Sequence, residues 1–227
     1  KKFSTETNSY QIKKEIKIFT KRMIIFFIAS AATPMLVAFF FFNDALLTVS
    51  NNYSIYLERV FHITDTAKSI LLLAILITSA IGSVIAGWLG DKIGALKTLK
   101  VILVGWIVLL PMLAIAPNFL AVAIISPFIG FLTGSAWTVT RSYLTSVLSK
   151  QEMGYGFSFY TIAERFATFV GPLTWGIIIS TMNAQASAYR IAVATMTIFL
   201  IVGLIILNRW KRSVISNNQI IDYGNNY

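Results

Sequence analysis

The sequence predicts an all-α, polytopic membrane protein with six transmembrane helices. Three observations carry this. Of 227 residues, 56% are hydrophobic and the mean hydropathy is +0.73. Only 12% are charged, about half the share of a soluble domain, and a soluble globule of this size could not hide so much apolar surface. Finally, no charged residue falls in Ser69–Gly90, Val101–Thr140, Phe166–Tyr189 or Ile191–Asn208, while a spanning helix needs roughly 20 mostly apolar residues. The short alternating segments of a transmembrane β-barrel are absent.

Taken in order, Lys1–Ser9 is polar and predicts disorder. Tyr10–Ser30 reads as a basic amphipathic helix, with Ile12, Ile16, Phe19, Met23 and Phe27 at helical spacing and lysines on other faces. The competing reading makes Met23–Asn43 a span. Pro34 favours the first, because proline suits a helix's first turn and disfavours helix just before it. The spans then run Pro34–Leu57, Ala67–Leu89, Leu99–Ile115, Phe119–Leu148, Phe157–Ser180 and Tyr189–Trp210. Residues 1–33 are expected to be a cytoplasmic linker, 34–210 the membrane domain and 211–227 a frayed polar tail.

Charge sets the expected orientation. The seven basic residues before Pro34, with Lys92, Lys97, Lys100, Lys150, Arg209, Lys211 and Arg212, collect on one side. Only Arg59, Lys68 and Arg190 collect on the other. The positive-inside rule puts both termini in the cytoplasm, as an even span count requires; in a bacterium the membrane would be the inner, plasma membrane. The net charge of +10 is thus explained by topology and not by nucleic-acid binding. Zero cysteines exclude disulfides and Cys-ligated metals, and the single histidine, His62, excludes a His-rich metal site. No cofactor is expected. His62 is placed in an exposed outer loop.

The connection between the second and third spans runs from Gly87 to Lys97. Gly87 and Gly90 allow close helix contact, Gly94 permits a turn with φ > 0, and Asp91 offers an anion near a helix end. Lys92 and Lys97 hold the loop in the cytoplasm. Gly87, Leu89, Asp91 and Gly94 stand as in the loop pattern G-x-L-A-D-R-x-G-R-K, with Gly90 and Lys92 as mild replacements and Ala95 and Leu96 in place of basic residues. The stretch resembles the cytoplasmic loop motif of the major facilitator superfamily. A branch of it, the vacuole-effluxer-like transporters, is resembled by Gly134–Ser142, by Phe157-Ser158-Phe159-Tyr160 through Arg165 to Gly171-Pro172-Leu173, and by Asn43-Asp44 with Thr48. Trp137 and Ala45 replace that branch's glutamine and glycine. The resemblance covers roughly Pro34 to Trp210. It implies the carboxy-terminal six-helix half of a twelve-helix transporter, with the amino-terminal half as missing partner, and export of amino-acid-like solutes. The start at Lys1 fits residues missing upstream.

Charges at bilayer depth are costly and face a cavity or a partner. Asp44, ten residues past Pro34, sits about 15 Å along the first span, near the midplane. Arg141 and Glu164 sit roughly 10–14 Å in from the cytoplasmic side, and Arg165 lies about 100° around the helix from Glu164. Two acids and two bases suit mutual pairing. Asn43, Asp44, Thr48, Tyr160, Glu164 and Arg165 are the candidate pathway residues. Asp44 is read as binding a proton or a substrate amine, against a structural hydrogen bond to a neighbouring helix. Gly87, Asp91, Lys92, Gly94 and Arg141 form the candidate cytoplasmic gate, with Arg141 bracing Asp91 or Glu164; in the alternative reading Arg141 or Arg165 meets a substrate carboxylate. Gly130-x-x-x-Gly134 lets helices approach, and Gly171-Pro172 breaks the fifth span.

The expected function is alternating-access transport of a small solute, with a proton as candidate coupling ion. A membrane enzyme is disfavoured because the spans hold no His, Cys or paired aspartates for a nucleophile–base set. The alternative is a non-transporting six-helix remnant or interaction subunit, since six helices supply one wall of a pathway.

Overall fold

The computed structural model describes residues 20, 21, 25, 27, 30 and 32–224, with side chains as far as Arg209. Most of the basic segment before Pro34, and with it most of the expected amphipathic helix, lies outside the described residues. Seven helices follow from Thr33: α1 (Thr33–Phe61), α2 (Asp65–Ile93), α3 (Ala95–Ala114), α4 (Phe119–Val147), α5 (Met153–Phe166), α6 (Val170–Thr181) and α7 (Ala186–Gly224). Helices α5 and α6 are the halves of one span, so among the described residues six segments are long and apolar enough to cross a membrane. No strand occurs among the described residues.

The ends follow local chemistry. Pro34 sits in the first turn of α1, where its missing N–H costs nothing. His62 ends α1 in the left-handed conformation (φ 52°), its N–H donating to the Glu58 carbonyl. Thr64 and Asn118 cap α2 and α4, accepting from the N–H groups of Ala67 and Ala121. The expected loop between the second and third spans shrinks to one residue. Helix α2 continues through Ile93, and Gly94 turns the chain at φ 97°, a conformation open to glycine and strained for other residues. The sixth helix does not stop at Trp210. Helix α7 runs on to Gly224, because residues 211–223 contain neither proline nor glycine; polar residues end a membrane span without ending a helix.

Helix α1 is the centre of the bundle, packing against α4, α5, α6 and α7. Its Met35, Leu36, Phe39, Phe42, Leu46 and Tyr56 are buried. Phe39 and Phe42 are therefore core residues. Helix α2 lies along α4 and turns Ile70, Leu73, Leu76, Ile77 and Val84 outward, as a lipid-facing helix does. In lipid, apolar side chains gain little by leaving the solvent, so close backbone approach holds helices together. Gly82, Gly130 and Gly134 provide that approach. A methyl group on Gly82 would strike the Phe131 carbonyl, one on Gly130 the Ile75 carbonyl, and one on Gly134 the Ser79 carbonyl. Ser135 adds a hydrogen bond to the Gly82 carbonyl at 3.0 Å. The glycines expected to serve this purpose nearer the loop do not. Methyl groups at Gly87 or Gly90 would meet their neighbours at 3.7 and 3.8 Å, ordinary contact.

The C-terminal end of α3 is closed by other helices. Arg190 of α7 donates to the carbonyls of Ala114 and Ala116, each at 2.7 Å, and lies over the Phe61 ring. Tyr56 of α1 donates to the Leu113 carbonyl at 2.7 Å. The Ala114 carbonyl is one that a helix end leaves without an intrahelical donor, the Ala116 carbonyl lies just beyond that end, and the Leu113 carbonyl also accepts from the Ala116 N–H. Lys68, at the start of α2, bridges Glu58 at 2.8 Å and Asp65 at 2.6 Å, tying α2 to the end of α1.

Candidate functional site

The fifth span breaks at Ala167–Phe169, between α5 and α6. Pro172 is the cause. It cannot donate to the Thr168 carbonyl, and its ring crowds that carbonyl. The chain loses its helical hydrogen bonds one turn before the proline, and the Gly171 N–H is released from its own helix. It donates instead to Asp44 Oδ2 at 2.6 Å. Asp44 thus lies against the first turn of α6, where free N–H groups and the helix dipole favour an anion.

Helical spacing places Asn43, Asp44 and Thr48 on the inward side of α1. Asp44 and Thr48 are 0% exposed and Asn43 is 1% exposed. Trp137 of α4 donates from Nε1 to Asn43 Oδ1 at 3.2 Å. Asn43 Nδ2, Asp44 Oδ1 and Thr48 Oγ1 are buried without a hydrogen-bond partner among the described residues. Gly171 is what admits this cluster. A methyl group there would collide with Thr48 Oγ1 and Asp44 Oδ1. No ion pair joins Asp44 to a basic side chain among the described residues.

A second layer lies about 7 Å toward the start of α1, at 1.5 Å per residue. The Phe39 ring stacks on Tyr160 with centroids 4.3 Å apart. The Tyr160 hydroxyl meets Arg141 Nε at 3.4 Å, with the guanidinium 5.7 Å from the ring centroid. Tyr160 is buried, while Arg141 is exposed. The expected pairing of charges is not what forms. Arg141 makes no ion pair with Asp91 or Glu164 among the described residues, and Tyr160 takes the place of both acids. Glu164 is half-buried and Arg165 exposed, on successive residues that point in different directions. Asp91 is exposed in the last turn of α2, and Lys92 lies 4.9 Å from the Trp88 ring centroid. The structure therefore brings Asn43, Asp44 and Thr48 together with Gly171 and Trp137, and Arg141 with Tyr160. It leaves Asp91 and Arg165 out of both groups, while Glu164 stands near enough to act on Arg141 and Tyr160 through its charge without forming an ion pair.

The sequence signalled the helix break through Gly171-Pro172, but not its partner. Nothing local to residue 44 names Gly171, 127 positions away. A lone acid on one span and a Gly-Pro on another were the two available clues.

A cleft of about 240 Å³ opens between α1, α2 and α4, with Ser50, Tyr53, Ser79, Thr133 and Trp137 on its walls among apolar side chains. Trp137 thus touches both the cleft and Asn43. Six apolar spans around a buried polar cluster, one of them broken where the cluster sits, define an integral multi-pass membrane protein built like a transporter. The profile of the Major Facilitator Superfamily matches residues 35–219. The chain belongs to that superfamily, whose members are membrane transporters and not enzymes. No curated protein and no solved structure matches the chain.

Proposed function

We propose that the chain is one six-helix half of a secondary active transporter. It moves a small solute by alternating access, with the pathway between two such halves near the bilayer midplane. The carrying observation is the buried Asp44 carboxylate, held by the Gly171 N–H at 2.6 Å with no basic partner among the described residues. A membrane protein keeps such a group at the cost of stability, and the general use of that cost is to bind or relay a charged species.

In this reading Asn43, Asp44 and Thr48 are the chemical centre. The released turn at Ala167–Phe169 lets α5 and α6 change their relative angle as Asp44 exchanges its hydrogen bond for a proton or a cationic group. The cleft beside Trp137 is one wall of the solute path, and its hydroxyls and aromatic rings suit a small polar organic solute. The vacuole-effluxer-like pattern supports export of an amino-acid-like solute. Arg141 with Tyr160 serves as the brace at the cytoplasmic end, and both termini face the cytoplasm, in keeping with the lysine and arginine bias.

The test reconstitutes the full-length protein in vesicles and compares wild type with Asp44→Asn at equal insertion. Candidate amino acids are presented with and without a pH gradient. Loss of uptake in the variant supports the reading. Equal uptake with the same pH dependence makes Asp44 structural and refutes it.

A further inference from the structure

Two of the spans are equally little buried in the bundle, α2 and the span made by α5 and α6. A span that shows most of its surface to lipid is strongly apolar, and α2 is. The α5–α6 span is instead the least apolar among the described residues. Its polar side chains are not scattered. At 100° per residue, Ser158, Thr161 and Arg165 fall within about 60° of one another on α5, and Thr168 follows in the break. Thr161, Arg165 and Thr168 are exposed and Ser158 is half-buried. The other open side of α5 has a different character. Phe159, Ile162 and Phe166 wall an apolar groove with Leu36, Val37 and Phe40 of α1, the side that suits lipid chains.

Arg165 stands on the polar side, about 18 Å along the span from Met153 and about 9 Å short of Gly171. A cation at that depth is costly unless a partner or water receives it. Other arginines of the bundle are answered: Arg190 by two carbonyls and Arg141 by Tyr160. The Arg165 side chain has no hydrogen bond or ion pair among the described residues. Thr161 and Thr168 turn their hydroxyls back onto the carbonyls of Phe157 and Arg165, at 3.0 and 2.6 Å, and so need no partner. The unspent donors on this side are the five N–H groups of one guanidinium. Glu164 does not neutralise them. It lies about 100° around the helix, acts through its charge on Arg141 and Tyr160, and forms no ion pair with Arg165. Two guanidiniums against one carboxylate leave this flank with excess positive charge. The planar fork of a guanidinium matches a carboxylate in two parallel hydrogen bonds.

We infer that the Ser158–Thr161–Arg165 side of α5 is a water-lined wall of the solute path, on which Arg165 receives a carboxylate of the solute. The class carried is then organic anions or zwitterions with a free carboxylate. That assignment of the solute rests on the transport reading above; the anion-receiving wall stands on the geometry alone.

The chain has no cysteine, so introduced single cysteines are read against the unsubstituted protein. The test labels the full-length protein in lipid vesicles with two membrane-impermeant methanethiosulfonates, one bearing a sulfonate and one a trimethylammonium group. Thr161→Cys should react with both, and Ile162→Cys about tenfold or more slowly, since an apolar setting suppresses the thiolate. Arg165 is one turn from Thr161 on the same face. The preference of Thr161→Cys for the sulfonate reagent should therefore fall about threefold or more when Arg165→Gln is added, and persist with Arg165→Lys. For any amino acid that wild type takes up, Arg165→Gln should raise KM about tenfold or more. A Thr161→Cys that reacts no faster than Ile162→Cys overturns the inference and leaves this side of α5 to lipid or to a partner protein. A charge preference unmoved by Arg165→Gln overturns it too, as does an unchanged KM. Should Thr161→Cys fail to insert, Thr168→Cys, three residues beyond Arg165, carries the same comparison. Charge-selective labelling in a protein that transports nothing refutes only the transport reading. Uptake by a protein that shows no labelling on this side refutes only this inference.

Discussion

Gly171→Ala tests the tertiary arrangement at its tightest point. The new methyl group would occupy space held by Thr48 Oγ1 and Asp44 Oδ1, both on a helix locked in the core by Phe39, Phe42 and Leu46. Forcing one methyl into a packed interior costs about 1–3 kcal/mol. If the clash also separates Asp44 from the Gly171 N–H, a hydrogen bond to a charged group is lost, worth about 1.5–3 kcal/mol more. Gly176→Ala is the internal control. It lies five residues further along α6, and a methyl there meets nothing within 4 Å. It should be neutral or raise stability by about 0.5–1 kcal/mol through helix propensity. At about 2–4 °C per kcal/mol for a chain of this size, Gly171→Ala should melt at least 2–4 °C below Gly176→Ala in the same detergent. Transport, where it is measured, should fall in the first variant and hold in the second. Equal melting of the two variants, within the error of the scan, would show that Asp44 and Thr48 do not crowd Gly171 and would sink the account of the site.

Other consequences can be read in the same way. Gly134→Ala should destabilise by about 1–3 kcal/mol because its methyl meets the Ser79 carbonyl, while Gly87→Ala should not; a melt comparison checks this. Arg190→Ala removes both hydrogen bonds to the Ala114 and Ala116 carbonyls and should cost about 1–3 kcal/mol, with proteolysis near Pro117 as a second readout. Tyr160→Phe keeps the stack on Phe39 but loses the hydroxyl that meets Arg141. Melting should hardly move, while the transport rate falls if this contact braces the cytoplasmic end; an unchanged rate removes Arg141 and Tyr160 from the gate. A reporter fused after Arg209 should read as cytoplasmic, and an extracytoplasmic signal would overturn the orientation drawn from the basic residues.

The number of spans and the fold class were legible in the sequence because lipid imposes a one-dimensional rule. Each crossing must be a long apolar helix, since nothing in the hydrocarbon satisfies an open backbone. Pro34, Gly94 and Gly171-Pro172 marked a helix start, a turn and a break for equally local reasons, each restricting or freeing its own backbone. The helix ends were less legible. Polar residues at 211–223 read as the end of a helix, yet α7 continues through them, because polarity stops membrane crossing and only proline, glycine or lost capping stops the helix. Partner choice was decided by tertiary structure. Charge arithmetic suggested that Arg141 would meet an acid, but packing set Tyr160 beside it. Gly82 emerged as a contact glycine only once α2 lay against α4. Asp44 could be recognised in the sequence as a costly group needing a partner. That its partner is the Gly171 N–H depends on how far the fifth span's break stands along the bundle from the first span's midpoint, a distance set by the packing of α1 against α6.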